Sequence, residues 1–326
     1  MCPRDAQLTR RQVALSYMGG MTDHRLPSLA GRRAVVTGAN SGLGWHTSRK
    51  LAALGARVIL ACRDVERGEH AASRILAAEP QADVEVVELN LARMASVRDF
   101  AVSVIANEQS LDLLVNNADV VRALRRSFTA DGFELQFGTN HLGHFALTGL
   151  LLPALLRTPD PRVVTVSSLS HFAGRPDVLD GNMTGPYRSQ LAYGNSKLAN
   201  LLFALELQRM AAQRGLALTS TAAHPGLAAT RVLRNPDGIG ADRVVRTIGP
   251  VVLRAIAQSA ARGAQPIIYA ATIAAPGSYL GPQHLRETRG PVGPARMSPL
   301  ARDETLAHRL WEVSEALTGL RYRWQR

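Results

Sequence analysis

Two residues whose types and spacing could do chemistry stand four positions apart, Tyr193 and Lys197. On a helix that separation puts both side chains on one face. A phenol with an ordinary pKa of about 10 is a poor proton shuttle at neutral pH. A neighbouring ammonium favours the phenolate and is expected to pull that value down. Lysine is scarce here: of 38 lysines and arginines, only Lys50 and Lys197 are lysine. A tyrosine that merely decorated an amphipathic surface would have no need of one of them.

The second feature is Thr37-Gly38-Ala39-Asn40-Ser41-Gly42-Leu43-Gly44. It follows the β-branched run Ala34-Val35-Val36-Thr37 and precedes a helical pattern that reaches about Leu54. Glycines between a strand and a helix permit a tight turn and a close approach of the backbone to a ligand. The helix N-terminus then offers free N–H groups to a pyrophosphate. Histidines are less informative. His141, His144, His171 and His224 lack the partner spacing of a metal site on one helix, so no metal is expected. Cys2 and Cys62 form neither a disulfide framework nor a metal cluster, and Cys62 reads as a small buried hydrophobe.

These residues need a scaffold that brings distant segments together. From Gly31 onward, short apolar runs alternate with longer helical patterns. The runs are Ala34–Thr37, Arg57–Ala61, Val84–Leu89, Leu111–Val115, Arg162–Val166 and Leu216–Ala222. The helices are expected to end near Leu54 and Ala78, to span about Ser96–Asn107, and to reach about Leu156. Continuous apolar strands separated by helices indicate an α/β fold with a doubly wound parallel sheet, whose ligands sit at the carboxyl ends of the strands. One domain is expected over 29–326, with substrate loops at about 173–190 and 231–299, the second containing a helix near Arg243–Ala261. Residues 1–28 read as a disordered extension or a misplaced start, with internal methionines at Met18 and Met21.

The combined motifs resemble the short-chain dehydrogenase/reductases. They are the T-G-x-x-x-G-x-G spacing, Asn116-Asn117-Ala118, Ser168, and Tyr193-Gly194-Asn195-Ser196-Lys197. Finer segments are similar to the retinol dehydrogenase-like branch and related bacterial oxidoreductases: Ala61-Cys62-Arg63-Asp64, Asn140–Phe145, Ser167–His171, Ser196–Asn200 and His224-Pro225-Gly226. The likeness runs from about Leu29 to Leu320. It implies a Rossmann fold and hydride transfer between a nicotinamide cofactor and a small-molecule carbonyl or alcohol. Its catalytic group would be Asn140, Ser168, Tyr193 and Lys197. In the family, the serine holds the substrate oxygen, the asparagine helps retain a water near the lysine, and the lysine also binds the nicotinamide ribose. Ser168 is taken rather than Ser167 because the catalytic serine is second in the pair. The resemblance places the cofactor against Gly38, Asn40, Ser41, Gly42, Leu43, Gly44, Arg63, Asn90, Leu91, Asn117, Ala118, Tyr193, Lys197, Pro225, Gly226 and Thr230.

Cofactor choice rests on the end of the second strand. An NAD enzyme of this type places an acid there to bind the ribose 2′-hydroxyl; here Cys62 holds the position and Arg63 follows. A guanidinium suits a 2′-phosphate, so NADP is expected over NAD. The competing reading makes Arg63 a solvated surface residue and Asp64 a helix cap. Two positions depart from the family pattern. Asn90 replaces an acid that contacts adenine, and Asp119 stands where N-N-A-G has glycine. An aspartate tolerates a positive φ better than most residues. Its charge would repel the cofactor phosphates if it faced them, or else it would cap the following turn. These departures motivate a rival reading, a catalytically weak or silent nucleotide-binding protein.

A net charge of +12 with 46% hydrophobic residues describes an ordinary globular protein rich in arginine. Those arginines are scattered and not interleaved with aromatics, so nucleic-acid binding is not expected. No apolar run is long enough to span a bilayer, and a cytoplasmic location is the default. The resemblance is compatible with a homo-oligomer formed through the helices carrying Asn140 and Tyr193.

Overall fold

The computed structural model describes residues 26–108, 110–121, 125–181, 184–227 and 258–325. Residues 1–25 of the expected extension, Thr230, and residues 243–257 of an expected helix lie outside the described residues.

One eight-stranded sheet organises the chain, in the order β3-β2-β1-β4-β5-β6-β7-β8. The strands are β1 (Arg33–Thr37), β2 (Arg57–Cys62), β3 (Asp83–Glu88), β4 (Leu113–Asn116), β5 (Arg162–Val166), β6 (Thr219–Ala223), β7 (Tyr279–His284) and β8 (Arg289–Pro294). Pairing is parallel from β3 through β7, and β8 returns antiparallel. β1, β2, β4 and β5 consist mostly of fully buried apolar residues, as a sheet covered on both faces requires. β3, at the margin, is only half buried and alternates valine with acids.

Helices cover both faces. α1 (Gly42–Ala53) and α2 (Val65–Ala78) lie on one side. With them is α6 (Ala260–Thr272), and Leu51, Ile75 and Ile267 join Val36, Leu60 and Val164 in that core. On the other face lie α3 (Met94–Asn107), α4 (Gly143–Leu155), α5 (Ser189–Gln213) and α7 (Glu304–Thr318). There Phe100, Phe145, Leu202 and Trp311 pack against Val35, Leu114 and Val163. Burying a side chain of this size contributes about 1.5–3 kcal/mol, so the two cores fix the sheet's position firmly. Strand order reverses between β1 and β4, which opens a crevice at their carboxyl ends.

Two expectations are corrected. The described part of the 231–299 loop is largely regular: α6, then the β7–β8 hairpin. Its glycines and prolines misled because β8 is an edge strand and Pro282 lies beyond the part of β7 that pairs with β6, where missing N–H donors and poor strand formers are tolerated. The long helix ending near Leu156 is also not uniform. It begins as Leu135–Phe137, widens into a π turn over Gly138–Leu142, and only then becomes α4.

Candidate active site

β1 ends at Thr37, and the chain turns on Gly38, whose φ is +66°. Gly38 donates its N–H to the Ala61 carbonyl at 2.8 Å, tying the turn to β2. A Cβ on Gly44 would lie 2.4 Å from the Gly38 carbonyl oxygen and 2.6 Å from Asn117 Nδ2, so only glycine allows α1 to start this close to β1. Ser41, at the N-cap of α1, makes no side-chain cap bond, and the first turn holds no acid. The helix therefore presents its positive end and its first N–H groups without a side chain claiming them. Asn40, Ser41, Gly42 and Leu43 all retain exposure along this rim.

At the end of β2, Cys62 is buried against Ala39 and Asn40, and burial pushes its thiol up to about 11. Arg63 is exposed beside it. Asp64 accepts a hydrogen bond from the Arg67 N–H at 3.0 Å and so caps α2. Asn90 uses its Oδ1 to accept from the Ala92 N–H at 3.0 Å, committing that oxygen to the turn after β3. Leu91, next to it, is buried.

Thr37 is the hub beneath the crevice. Its hydroxyl accepts from the Asn117 and Ala118 N–H groups, each at 2.9 Å. It also lies 2.9 Å from His144 Nε2. Burial pushes the His144 imidazole down to about 4, so the ring is neutral at physiological pH. Its Nδ1 sits 2.9 Å from the Asn140 carbonyl, which can only accept. Nδ1 therefore carries the proton, Nε2 accepts, and the Thr37 hydroxyl donates to it. Asn117 closes the knot by donating Nδ2 to the Thr37 carbonyl at 2.7 Å.

Tyr193 and Lys197 lie on the second and third turns of α5, facing the carboxyl end of β4. Ser168 caps the 3₁₀ turn after β5. The nearby Ser168 hydroxyl favours the ionised form of the Tyr193 phenol. Ser167 is buried and donates to the Lys197 backbone carbonyl at 2.8 Å, a structural bond. Asn140 lies in the π turn, and its amide clamps the main chain of Val120: Oδ1 accepts from the Val120 N–H at 2.8 Å and Nδ2 donates to the Val120 carbonyl at 3.1 Å. Nδ2 also reaches Ser196 Oγ at 3.1 Å, and Ser196 donates to the Tyr193 carbonyl at 2.8 Å.

Asp119 is the residue that sequence reasoning misplaced. Its carboxylate points at the catalytic pair, with Oδ2 2.8 Å from the Tyr193 hydroxyl and 2.8 Å from Lys197 Nζ. Its backbone is not left-handed, so this aspartate does not replace glycine for conformational reasons. The expectation of a depressed Tyr193 pKa is corrected accordingly. Burial holds the phenol well above its ordinary value, and the Asp119 carboxylate adds to the effect.

Beyond β6, Gly226 turns at φ +64° and donates its N–H to His224 Nδ1 at 3.2 Å. Gln258 Nε2 donates to the Pro225 carbonyl at 2.7 Å, fixing that segment from behind. His224 Nε2 lies 3.3 Å from Glu287 Oε2, and Arg296 Nε lies 2.9 Å from Glu287 Oε1. This cluster, buried at His224 and Glu287 but exposed at Arg296, was not foreseen, because Glu287 sits in a hairpin expected to be loop.

The family profile described as short chain dehydrogenase matches residues 32–237. Human retinol dehydrogenase 13 (Homo sapiens) is 40% identical over 309 residues, 93% of this chain and 89% of that protein. Dehydrogenase/reductase SDR family member 13 of Bos taurus is 42% identical over 302 residues, 90% of this chain and 75% of that one. A crystal structure of an uncharacterized protein from Mycobacterium paratuberculosis superposes with a TM-score of 0.76 at 42% identity, covering 93% of this chain and 99% of that chain. A metagenomic short-chain oxidoreductase solved in complex with NADP gives a TM-score of 0.51 at 27% identity, covering 63% of this chain and 86% of that one. The doubly wound sheet and these matches define the class: the chain belongs to the short-chain dehydrogenase/reductase family of oxidoreductases. Retinol dehydrogenases 11, 12 and 13 are among the relatives it resembles.

Proposed function

We propose that this chain is an NADP(H)-dependent reductase or dehydrogenase acting on an apolar aldehyde, ketone or alcohol. The observation that carries the reading is the convergence of Ser168, Tyr193 and Lys197 at the carboxyl ends of β4 and β5, beside the glycine turn. The residues present fit a nicotinamide dinucleotide. The close approach of Gly38 and Gly44 and the uncapped start of α1 form a cradle for its pyrophosphate. Asn117, Ala118, Pro225 and Gly226 would line the path from there to Lys197, with Asn90 and Leu91 flanking the adenine side.

Exposed Arg63 supports NADP over NAD. Asp64, the acid that follows it in sequence, is already engaged as a helix cap. Exposed Phe172 and Leu227, close in sequence to Ser168 and Gly226, support an apolar substrate. So do relatives whose names specify retinol.

Bound nicotinamide supplies or accepts the hydride at the substrate carbon. Ser168 would hold the substrate oxygen by a hydrogen bond. In carbonyl reduction Tyr193 gives its phenolic proton to that oxygen, and in alcohol oxidation it takes the proton back. Asn140 fixes the start of α5 through Ser196, which holds Tyr193 in position.

The test is nucleotide oxidation with retinal and with aliphatic aldehydes, NADPH and NADH side by side. Turnover of an apolar aldehyde with NADPH, slower with NADH, is expected. Thermal stabilisation by nucleotide without turnover of any carbonyl would instead establish a silent nucleotide-binding protein.

A further inference from the structure

Asp119 Oδ2 is equidistant, at 2.8 Å, from the Tyr193 hydroxyl and from Lys197 Nζ. One carboxylate oxygen thus accepts from the two groups that sequence reasoning pairs with each other. Lys197 is buried, with a side chain 1% exposed, whereas that of Asp119 is 29% exposed. The carboxylate is held in place, because the Asn140 amide clamps the next residue, Val120, through both its N–H and its carbonyl. The charged or titratable groups facing it are Lys197 and Tyr193 from α5 and the neutral His144 from α4.

This arrangement reverses the electrostatics of an isolated tyrosine–lysine pair. A phenolate formed at Tyr193 would stand at hydrogen-bond distance from a second anion. The Lys197 charge, which would otherwise steady that phenolate, is taken up by the carboxylate. We infer that Asp119 is a positioning residue that holds the proton on Tyr193, so that the resting site presents a proton donor rather than a phenolate. The inference rests on reading Tyr193 as the proton-transferring group. It predicts that carbonyl reduction persists to higher pH, and alcohol oxidation begins at higher pH, than in the same chain lacking the carboxylate. Both limbs belong to one group, so they must move together.

The test begins without cofactor. The phenolate ultraviolet absorbance of Tyr193 is isolated as the difference between each protein and its Tyr193→Phe counterpart. The backgrounds compared are wild type, Asp119→Asn and Asp119→Gly, each checked for folding by thermal unfolding. The Asn variant keeps the side chain's shape; the Gly variant removes it. In whichever variant is folded, the Tyr193 titration is expected at lower pH than in wild type. The alkaline limb of kcat/KM for NADPH-dependent carbonyl reduction should fall by the same displacement. A Tyr193 titration unchanged by loss of the carboxylate would overturn the inference. A displaced titration in a protein that turns over no carbonyl would leave the proton-holding role standing and overturn the proposed function, so the two failures are distinguishable.

Discussion

Tyr193 projects its hydroxyl between a serine, a carboxylate and an ammonium, and only the carboxylate bond holds its proton. Its ring packs against Lys197, whose Nζ lies 5.4 Å from the ring centroid, so removing the oxygen should leave the packing intact. Tyr193→Phe is expected to keep the fold and nucleotide affinity while losing about 10²–10⁴-fold in kcat, the usual contribution of a placed general acid. Rates near wild type where chemistry limits would refute the assignment. Arg63 offers a second test at this scale. It is exposed, so truncation should cost little stability. Arg63→Ala should weaken NADPH binding by about 1.5–3 kcal/mol, the worth of a hydrogen bond to a charged group, and leave NADH nearly unchanged. Titration calorimetry with both nucleotides reads the difference, and equal losses would remove the case for a 2′-phosphate contact.

The turn after β1, the loop after β4 and the π turn before α4 are joined by one hydroxyl. Thr37 receives the Asn117 and Ala118 N–H groups and donates to His144, which in turn donates to the Asn140 carbonyl. Thr37→Val keeps the volume but orphans buried donors and the His144 acceptor. Each such loss costs about 1–3 kcal/mol. Urea unfolding should show a drop of at least about 2 kcal/mol at unchanged m-value. Nucleotide affinity should fall as well, because the glycine turn and the Asn117 loop would lose their common anchor. A variant as stable as wild type would mean that water or a rotated partner satisfies those groups.

Across the whole molecule, the β7–β8 hairpin reaches back over the end of β6 and brings Glu287 to His224 and Arg296. Leu285, Arg286 and Glu287 all adopt positive φ, between 50° and 65°, so the hairpin tip spends backbone strain to deliver that carboxylate. Burial works to raise the Glu287 pKa, but the His224 ring beside it and the bonds from Arg296 outweigh it and hold the carboxyl below its ordinary value. A depressed folded pKa stabilises the native state fully above the ordinary carboxylate range. That contribution is lost as pH falls through the folded value. Glu287→Gln should therefore lower the neutral-pH Tm and flatten its decline on acidification. Parallel Tm curves for the two proteins below the ordinary carboxylate range would contradict this linkage.

The parallel sheet, the glycine turn and the Tyr193–Lys197 pair were legible in the sequence because each rests on local periodicity or on a side chain that backbone geometry requires. Buried apolar runs specify strands wherever they occur, and four-residue spacing places two side chains on one helical face without reference to the remaining fold. The β7–β8 hairpin was not legible: glycine and proline signal loops except where a strand lacks a neighbour on one side, as β8 does throughout and β7 does beyond Leu280, and that is a property of the assembled sheet. The π turn at Gly138–Leu142 leaves no periodic signature of its own. Asp119 shows the division most clearly. Its identity and its departure from the family pattern stand in the sequence, but the direction of its carboxylate does not. Tertiary structure decides that direction, because Tyr193 and Lys197 arrive from a helix more than 70 positions away. Hydrogen bonds and charges act through space, so the sign of their effect on Tyr193 is defined only once α5 has packed against the end of β4.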